Sequence, residues 1–335
     1  MSTPKINLIF GGASLGGMEA EFTSVASTAS ALSLLENNGV TTIDTGRIYP
    51  NSEHWLGELN ATAKFDIDTK YPGGFGTAVS SGEDLKEKLE ESLQELKTDQ
   101  ITTYYIHAPD RRPGASTTAL LQALTEAHAA GKFKKLGLSN FLVDEVKEIL
   151  RIAKENNFLL PSVYQGNYNA VARHHEKTLL PLLREHGIAF YAYSPIAGGF
   201  LTKSVEQLTS TPDSGSGPGT EKGTRWDPNT QTGTFYTNLY AKPSLFEGLK
   251  VWGEIADDAG ISKAELAYRW VAFHSALDSN RGDGLVFGAR NEGQIWGTLE
   301  GLRKGPLPRE IAERVEGVWE VVERDAPVDN FNGGV

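Results

Sequence analysis

The chain has 335 residues, of which 39% are hydrophobic and 22% are charged, and its formal net charge is −11. This composition is typical of a globular protein with a large core, and the acidic balance argues against binding to nucleic acid. The absence of cysteine excludes disulfide bonds, zinc–thiolate sites and a cysteine nucleophile. We see no secretory signal and no apolar run of membrane-spanning length, so we expect a cytoplasmic protein without a membrane partner.

Short apolar or β-branched runs alternate with helical patterns along the chain. The predicted strands are 6–10, 41–45, 65–70, 101–107, 134–139, 162–167, 188–194 and 284–289. Helical spacing of apolar residues marks 84–96, 119–131, 143–155, 175–187, 242–260 and 262–276. Such alternation predicts a parallel sheet covered on both faces, and in this length it fits a closed (β/α)8 TIM barrel with extra C-terminal helices. We expect residues 1–335 to form one domain; an open doubly wound sheet is the alternative.

One long segment, 202–241, breaks the alternation after the seventh strand. Its part 209–229 is rich in Gly, Pro, Ser and Thr and shows little periodicity, which predicts a loop. A loop of this length is usually functional or disordered. The aromatic residues Trp226, Phe235, Tyr236 and Tyr240 favour a flap on the substrate side over a tolerated surface insertion.

Polar or small residues follow nearly every predicted strand, where a barrel of this kind has its active site. In chain order they are Gly12–Ala13, Asp44, Lys70, His107, Ser139–Asn140, Gln165 and Asn167, Tyr193–Ser194, and Gly288–Ala289–Arg290. Each has a structural explanation by itself, such as a helix cap for Asp44 or a core histidine for His107. A barrel used only as a scaffold would not need all of them on one face.

Four of these positions together indicate a proton-delivery site. A charged Lys70 at the barrel mouth needs a carboxylate, and Asp44 on the neighbouring strand can reach it. A cation beside Tyr49 favours the phenolate, so we expect the pKa of the tyrosine to fall below its usual value of about 10. Such a tyrosine can protonate an oxygen near neutral pH, and His107 can hydrogen-bond the same oxygen. The sequence shows no nucleophile elbow and no metal-spaced cluster, so the electrons must come from a cofactor.

The ordered set of Asp44, Tyr49, Lys70 and His107 resembles the aldo-keto reductases. The resemblance also includes GLSNF (137–141), VYQGNYN (163–169), FYAYSPIAGGFL (190–201) and FGAR (287–290), and it covers about residues 6–325. VYQGNYNAVAR, FYAYSPIAGG and RDAPVDNF (324–331) point to the aflatoxin-aldehyde reductase branch. The resemblance implies a (β/α)8 enzyme, monomer or homodimer, that uses NADPH to reduce a small aldehyde or ketone.

The resemblance also implies a role for each matching residue. Tyr49 would be the general acid, Asp44 and Lys70 its tuning pair, and His107 the residue that orients the carbonyl. The implied cofactor residues are Gly12, Ala13, Asp44, Ser139, Asn140, Gln165, Tyr193, Ser194, Ile196, Gly198, Leu201, Gly288, Arg290 and Gln294. Among them, Ser139, Asn140 and Gln165 would hold the carboxamide and Arg290 with Gln294 the 2′-phosphate. The implied substrate residues are Tyr49, His107, Arg225, Trp226 and Tyr236.

The chain departs from the family pattern at several positions. Thr298 stands where the family usually has an asparagine at the adenine, so the adenine contacts stay open. Gly12 and Ala13 replace larger residues, which predicts a roomier pocket. Thr237 and Leu239 stand where the branch often has arginines that hold a substrate carboxylate, so we do not expect succinic semialdehyde to be favoured.

Three alternatives stay open at this point. GGASLGG after the first strand could be a dinucleotide loop with Asp44 on the ribose, but its match to that motif is poor. The chain could also be a non-catalytic NADPH sensor, like the potassium-channel β subunits that share this barrel. Finally, the physiological direction could be alcohol oxidation.

Overall fold

Eight parallel strands pair in sequential order and close into a barrel, because β8 pairs back with β1. This computed structural model describes residues 6–16, 20–209, 225–227 and 229–332. The strands are β1 (Asn7–Gly11), β2 (Thr42–Asp44), β3 (Asp66–Tyr71), β4 (Ile101–Ile106), β5 (Phe133–Ser139), β6 (Val163–Asn167), β7 (Ala189–Tyr193) and β8 (Gly284–Phe287). The predicted (β/α)8 barrel is therefore confirmed, and the open doubly wound sheet is excluded.

Helices surround the barrel. Within the described residues they are α1 (Val25–Asn37), α2 (Ser52–Glu58), α3 (Gly82–Glu95), α4 (Thr117–Ala129), α5 (Val143–Glu155), α6 (Leu179–Glu185), α7 (Val205–Thr209), α8 (Gln231–Tyr240), α9 (Pro243–Asp258), α10 (Lys263–Phe273), α11 (Glu292–Arg303) and α12 (Arg309–Val322). The helices predicted at 242–260 and 262–276 are present as α9 and α10. The helix α12, which the sequence did not predict, packs against α9. Gly248 makes this possible, because a Cβ there would lie 2.3 Å from Val322 Cγ1.

The strands are continuous apolar runs in the sequence because both of their faces are buried. Their outer faces and the helices form the main hydrophobic core. The barrel lumen holds a smaller cluster of Ile9, Tyr105, Val163, Tyr191 and Val286. The lumen is therefore filled below its mouth, as in other barrels of eight strands.

Local signals in the sequence account for several helix ends. The hydroxyl of Ser116 accepts a hydrogen bond from the Ala119 amide at the start of α4, and Ser24, Ser81 and Ser262 cap α1, α3 and α10 in the same way. The predicted C′ glycine of α4 is Gly131, whose φ of +76° lies in the left-handed region.

Two helical predictions need correction. The predicted helix 175–187 is a 3-10 turn, His174–Glu176, followed by the shorter α6, because Pro181 fits only in the first turn of a helix. Part of the predicted loop 202–241 is helical: α8 begins after Thr230, whose hydroxyl accepts a 2.9 Å hydrogen bond from the Gly233 amide. Residues 210–224 and 228 of that segment lie outside the described residues.

Candidate active site

A buried ion pair lies at the carboxyl end of the barrel. Lys70 Nζ donates 2.6 Å hydrogen bonds to Asp44 Oδ2 and to the Thr45 carbonyl. The other carboxylate oxygen of Asp44 accepts a 2.8 Å bond from Gln165 Nε2, which reaches it across the lumen from β6. Lys70 is fully buried and Asp44 is 4% exposed. The predicted pairing of Lys70 with Asp44 is therefore present in the structure.

Tyr49 lies next to this pair. Its hydroxyl is 3.4 Å from His107 Nε2, and Lys70 Nζ is 5.5 Å from the centre of its ring. The ring itself is partly exposed, but its hydroxyl points at the buried His107. The four residues predicted from β2, β3, β4 and the loop after β2 are therefore together at one mouth.

The loop that carries Tyr49 is fixed from both ends. Thr45 and Ser52 join their hydroxyls at 2.7 Å, and Arg47 pairs with the buried Glu53 at 2.9 Å. A close approach adds to this, because a Cβ on Gly16 would lie 1.4 Å from the Pro50 carbonyl oxygen. The glycine-rich segment after β1 thus packs against the tyrosine loop, and Gly12–Gly16 form a 3-10 turn in a barrel, which excludes a Rossmann-type dinucleotide loop.

The sequence-based prediction for the pKa of Tyr49 is wrong in its net direction. Burial raises the pKa of the phenol above its ordinary value, and this effect exceeds the lowering caused by the charge of Lys70. The contribution of Lys70 has the predicted sign, but the sequence did not reveal how deeply the hydroxyl is buried. The phenol is therefore protonated at neutral pH.

Lys70 and His107 have opposite charge states. Burial lowers the pKa of Lys70, but the carboxylate of Asp44 and its hydrogen bond outweigh burial and raise it, so the ammonium stays charged. Burial, with Lys70 as a second cause, holds the pKa of His107 well below its usual value, so the imidazole is neutral. His107 Nδ1 has no hydrogen-bond partner among the described residues. Since a buried N–H without an acceptor is rarer than a free lone pair, the proton belongs on Nε2, facing Tyr49.

Amide and hydroxyl groups from β5 to β7 border the same mouth. Asn140 has a left-handed φ of 63°, and its Nδ2 donates to the His107 carbonyl at 2.9 Å and to Ser139 Oγ at 3.1 Å. Its Oδ1 accepts a 2.7 Å bond from the Tyr193 hydroxyl. Gln165 is the neighbour of Ser139 in the register of β5 and β6, so the predicted carboxamide-binding residues are adjacent.

The segment after β7 turns sharply along the mouth. Ser194, Ala197, Gly198 and Gly199 all have positive φ, which is uncommon for residues other than glycine and clusters at functional sites. Leu201, which is buried, accepts a 3.0 Å hydrogen bond from Trp252 through its carbonyl.

Aromatic residues of the segment 225–240 cover this turn. Trp226 Nε1 donates a 2.9 Å bond to the Gly198 carbonyl, and a Cβ on Gly198 would lie 2.0 Å from the ring of Tyr236. Arg225 Nη1 is 3.4 Å from the Tyr236 hydroxyl. The predicted substrate-side residues therefore meet the predicted cofactor-side loop, and the half-buried Ile196 lies within it.

The predicted cofactor residues Gly288, Arg290 and Gln294 lie beyond β8. A Cβ on Gly288 would meet no atom within 4 Å, so the backbone there borders open space. Arg290 is exposed, and its amide donates a 2.8 Å bond to Gln294 Oε1. Asn291 caps α11 by accepting from the Gln294 amide at 3.0 Å. An arginine next to a helix N-terminus is a suitable phosphate site.

Comparison with known proteins identifies the family. Residues 7–320 match the model of the Aldo/keto reductase family. The chain belongs to this family. It is 37% identical over 303 residues to Oxidoreductase sirO of Leptosphaeria maculans, which covers 88% of this chain and 86% of that protein. It is 33% identical to Aflatoxin B1 aldehyde reductase member 2 of Rattus norvegicus, over 94% of this chain and 86% of that protein. It is also 33% identical to Aldo-keto reductase family 7 member A3 of Homo sapiens, over 93% of this chain and 95% of that protein.

Membership of the aldo/keto reductases makes the chain an oxidoreductase of small carbonyl compounds, in a family that generally uses nicotinamide cofactors. The donor set at the mouth fits such a cofactor. Amides and hydroxyls lie beside the Tyr193 ring for a nicotinamide, and Arg290 with the open backbone at Gly288 suits a phosphate. Within the described part of the chain, no cluster of His, Asp and Glu could hold a metal ion, and no helix is long and apolar enough to cross a membrane.

Sequence reasoning missed one wall of the site. Phe75, in the turn after β3, is 40% exposed and meets the ring of His107 edge-on, with centroids 4.9 Å apart. Phe331 near the C-terminal end meets Phe75 at the same distance. The tail is anchored by hydrogen bonds from the Asn330 amide to the Tyr193 hydroxyl (3.2 Å) and from Asn332 Nδ2 to the Asn140 carbonyl (3.0 Å).

The tail carried a usable signal. Asp329 accepts hydrogen bonds from the amides of Phe331 (2.8 Å) and Asn332 (2.6 Å), which is the turn that aspartate favours. The sequence thus predicts a turn there, but not what it contacts. The expected effect of Gly12 on the size of the pocket also changes. A Cβ on Gly12 would lie 3.0 Å from the Asp44 carbonyl oxygen, so Gly12 adds no room to the pocket.

Proposed function

We propose that the chain is an NADPH-dependent reductase of aldehydes and ketones, with Tyr49 as its general acid. The observation that carries this proposal is the 3.4 Å separation of the Tyr49 hydroxyl and His107 Nε2 beside the buried Lys70–Asp44 pair. One carbonyl oxygen can accept hydrogen bonds from both groups. We further propose that residues 1–335 act as one cytoplasmic domain, as a monomer or a homodimer.

The side chains supply the proton and orient the carbonyl. His107, neutral, donates Nε2–H to the carbonyl oxygen and directs it at Tyr49. The hydride for the carbonyl carbon would come from a nicotinamide bound at this mouth. Tyr49 transfers its phenolic proton to the oxygen, and the product is an alcohol. The nearby Lys70 ammonium stabilises the phenolate that remains, because a neighbouring cation favours the charged form.

The residues around the mouth support binding of the cofactor in one orientation. Ser139, Asn140 and Gln165 would hold the carboxamide, and Tyr193 would stack on the ring. Arg290 and Gln294 would meet the 2′-phosphate, which favours NADPH over NADH. The residues proposed for the pyrophosphate side are Gly12, Ala13, Ser194, Ile196, Gly198, Leu201 and Gly288.

The wall of the pocket supports an apolar, aromatic substrate. Phe75 contacts His107 and Phe331 packs against Phe75, while Trp226 and Tyr236 lie against the cofactor-side loop at Gly198. Several relatives are named as reductases of aflatoxin B1 aldehyde, which supports an aldehyde as the substrate. An activated aromatic aldehyde is therefore the suitable first probe.

The test is NADPH consumption with 4-nitrobenzaldehyde, with NADH run beside it. We expect NADPH-selective turnover that is lost in Tyr49→Phe, while fluorescence titration shows unchanged NADPH binding. Tyr104→Phe is the matched control, because the buried Tyr104 hydroxyl has no hydrogen-bond partner within the described part of the chain and lies on the helix side of β4. Undiminished turnover in Tyr49→Phe would refute the acid assignment.

The alternatives predict other results. Tight NADPH binding with no turnover of any aldehyde would favour the non-catalytic sensor. Turnover only of alcohols with NADP⁺ would favour oxidation as the physiological direction.

A further inference from the structure

A second carboxyl group lies directly beneath the Asp44–Lys70 pair. Asp68 precedes Lys70 by two residues on β3, so both side chains project into the lumen, and the parallel register sets Asp68 beside Asp44. Asp68 is 1% exposed, and its Oδ1 has no hydrogen-bond partner among the described residues. A buried carboxyl oxygen normally has such a partner, so this group calls for an explanation.

Charged and titratable groups face Asp68 from five strands. They are Asp44 on β2, Lys70 on β3, Tyr105 on β4, Lys135 on β5 and Tyr191 on β7. The Thr103 hydroxyl on β4 hydrogen-bonds to Asp68. The strands β1, β6 and β8 contribute the apolar Ile9, Val163 and Val286 to the lumen, and β6 also contributes the uncharged Gln165, which bonds to Asp44.

Asp68 is not needed to hold the ion pair above it. Both oxygens of Asp44 are already satisfied, by Lys70 and by Gln165. Burying a further carboxyl group without a full set of hydrogen bonds costs stability. A purely structural role therefore leaves Asp68 unexplained, whereas an electrostatic role at the site above it does not.

The protonation of Asp68 changes the charge of the site. Burial raises the pKa of Asp68 to about 7, and the charge of Asp44 adds to this, so both forms are populated at neutral pH. With Asp68 protonated, the charges of Asp44 and Lys70 cancel. With Asp68 ionised, the buried set carries one net negative charge beside Tyr49, and a negative neighbour disfavours the phenolate.

We propose that Asp68 is a positioning residue that controls, through its own protonation, how strongly Lys70 acidifies Tyr49. The inference rests on the function proposed above. Protonated Asp68 leaves the full effect of Lys70 on the phenol, and Tyr49 is the stronger acid. Ionised Asp68 offsets Lys70, and Tyr49 is the weaker acid. Reduction is therefore faster on the acid side of the Asp68 transition than on its alkaline side.

The first test is the single-turnover rate of NADPH oxidation with 4-nitrobenzaldehyde in wild type and Asp68→Asn. The rate is measured at pH values below and above about 7, the pKa of Asp68. Asparagine has the same volume and can keep the Thr103 hydrogen bond, but it cannot ionise. We expect the wild-type rate to fall about tenfold through this transition, by the Coulomb effect of one charge on the acid strength. We expect Asp68→Asn to lose this fall.

Asp66→Asn is the matched control, because Asp66 lies two residues earlier on β3 and is exposed at the other end of the barrel. It should keep the wild-type profile. If Asp68→Asn lowers the rate equally at every pH, Asp68 is only structural and the proposal is overturned.

A second measurement does not depend on turnover or on folding of the Asp68 variant. Carbon-13 NMR of aspartate carboxyl groups in the wild-type protein should show one buried group with a midpoint near 7. That midpoint should fall in Asp44→Asn, because a negative neighbour is removed. If the wild-type enzyme reduces no carbonyl compound, the proposed function fails. The NMR titration then still tests whether Asp68 changes its protonation near neutral pH. No carboxyl midpoint near neutrality, or one that Asp44→Asn does not move, would overturn the proposal.

Discussion

Lys70 Nζ and Asp44 Oδ2 lie 2.6 Å apart, and both side chains are buried. Removing one partner of such a pair leaves a buried charge without compensation, which typically costs about 3–5 kcal/mol. We expect Lys70→Met to lower the free energy of unfolding by about this amount in urea titrations. The double variant Lys70→Met/Asp44→Asn should recover a large part of the loss. Equal stability of the single and double variants would mean that the charge of Asp44 is not the cause.

His107 is neutral and offers an N–H donor, so its replacement should depend on whether a donor remains. We expect His107→Phe to lower kcat by about 100-fold, the usual effect of removing one donor to a developing oxyanion. His107→Gln, which keeps an N–H, should lose distinctly less. Because the pKa of His107 is well below its ordinary value, both variants should keep the shape of the wild-type pH profile of kcat. A lost limb near neutral pH would contradict this charge state.

Phe75 should select aromatic substrates by contact with their rings. An aromatic pair contributes about 0.5–1.5 kcal/mol, so Phe75→Ala should raise KM for 4-nitrobenzaldehyde by about two- to tenfold. The KM for propanal, which has no ring, should stay near the wild-type value. Val79→Ala is the control, since Val79 is a similarly exposed apolar residue a few positions later. Equal effects on both aldehydes would show that Phe75 supports the fold rather than the substrate.

Arg290 should decide between the two nicotinamide cofactors. A charge-assisted hydrogen bond to a phosphate is worth about 1.5–3 kcal/mol, so Arg290→Ala should weaken NADPH binding by about 10- to 100-fold. NADH binding, measured by the same fluorescence titration, should be unchanged. Arg309→Ala, which removes an exposed arginine at the start of α12, should affect neither cofactor. If both cofactors lose affinity equally, Arg290 is not at the 2′-phosphate.

His175 should make the fold sensitive to acid. It is buried against the rings of Tyr164 and Phe190, and burial lowers its pKa to about 4. The unfolded chain binds a proton at a pKa of about 6.5, so the unfolded state gains protons first as the pH falls. Stability from this residue is thus complete above about pH 6.5 and lost as the pH falls toward the folded pKa.

We therefore expect His175→Phe to remove about 3 kcal/mol of the decline in unfolding free energy between pH about 7 and pH about 4. Urea titrations at several pH values measure it. His54→Phe, at an exposed position, is the control. An unchanged decline in the His175 variant would assign the acid sensitivity to other groups.

The sequence predicted most of the barrel and the four residues at its mouth for a physical reason. Strands buried on both faces are continuous apolar runs, so the residue at which each strand ends can be located in the sequence. A closed parallel barrel brings the carboxyl ends of its strands together. Asp44, Lys70 and His107 follow from this rule. Their distances and their assembly around Tyr49 required the structure.

Other features depend on contacts between distant parts of the chain. The raised pKa of Tyr49 follows from burial, which the local sequence does not encode. Phe75 and Phe331 form one wall although they are far apart in the chain. The helix α8 lies in a segment that we predicted as a loop, although Thr230 as its cap and the buried Tyr236, Leu239 and Tyr240 on one face were readable.

The bond from Gln165 to Asp44 connects β6 with β2, which lie on opposite sides of the barrel. The two halves, β1–β4 and β5–β8, are therefore tied together through the lumen as well as along their edges. If one half opened alone, a carboxylate and an amide would both lose their partners in an apolar interior. Subglobal opening of half a barrel is thus penalised at the site itself, and amide hydrogens near the mouth of both halves should exchange together.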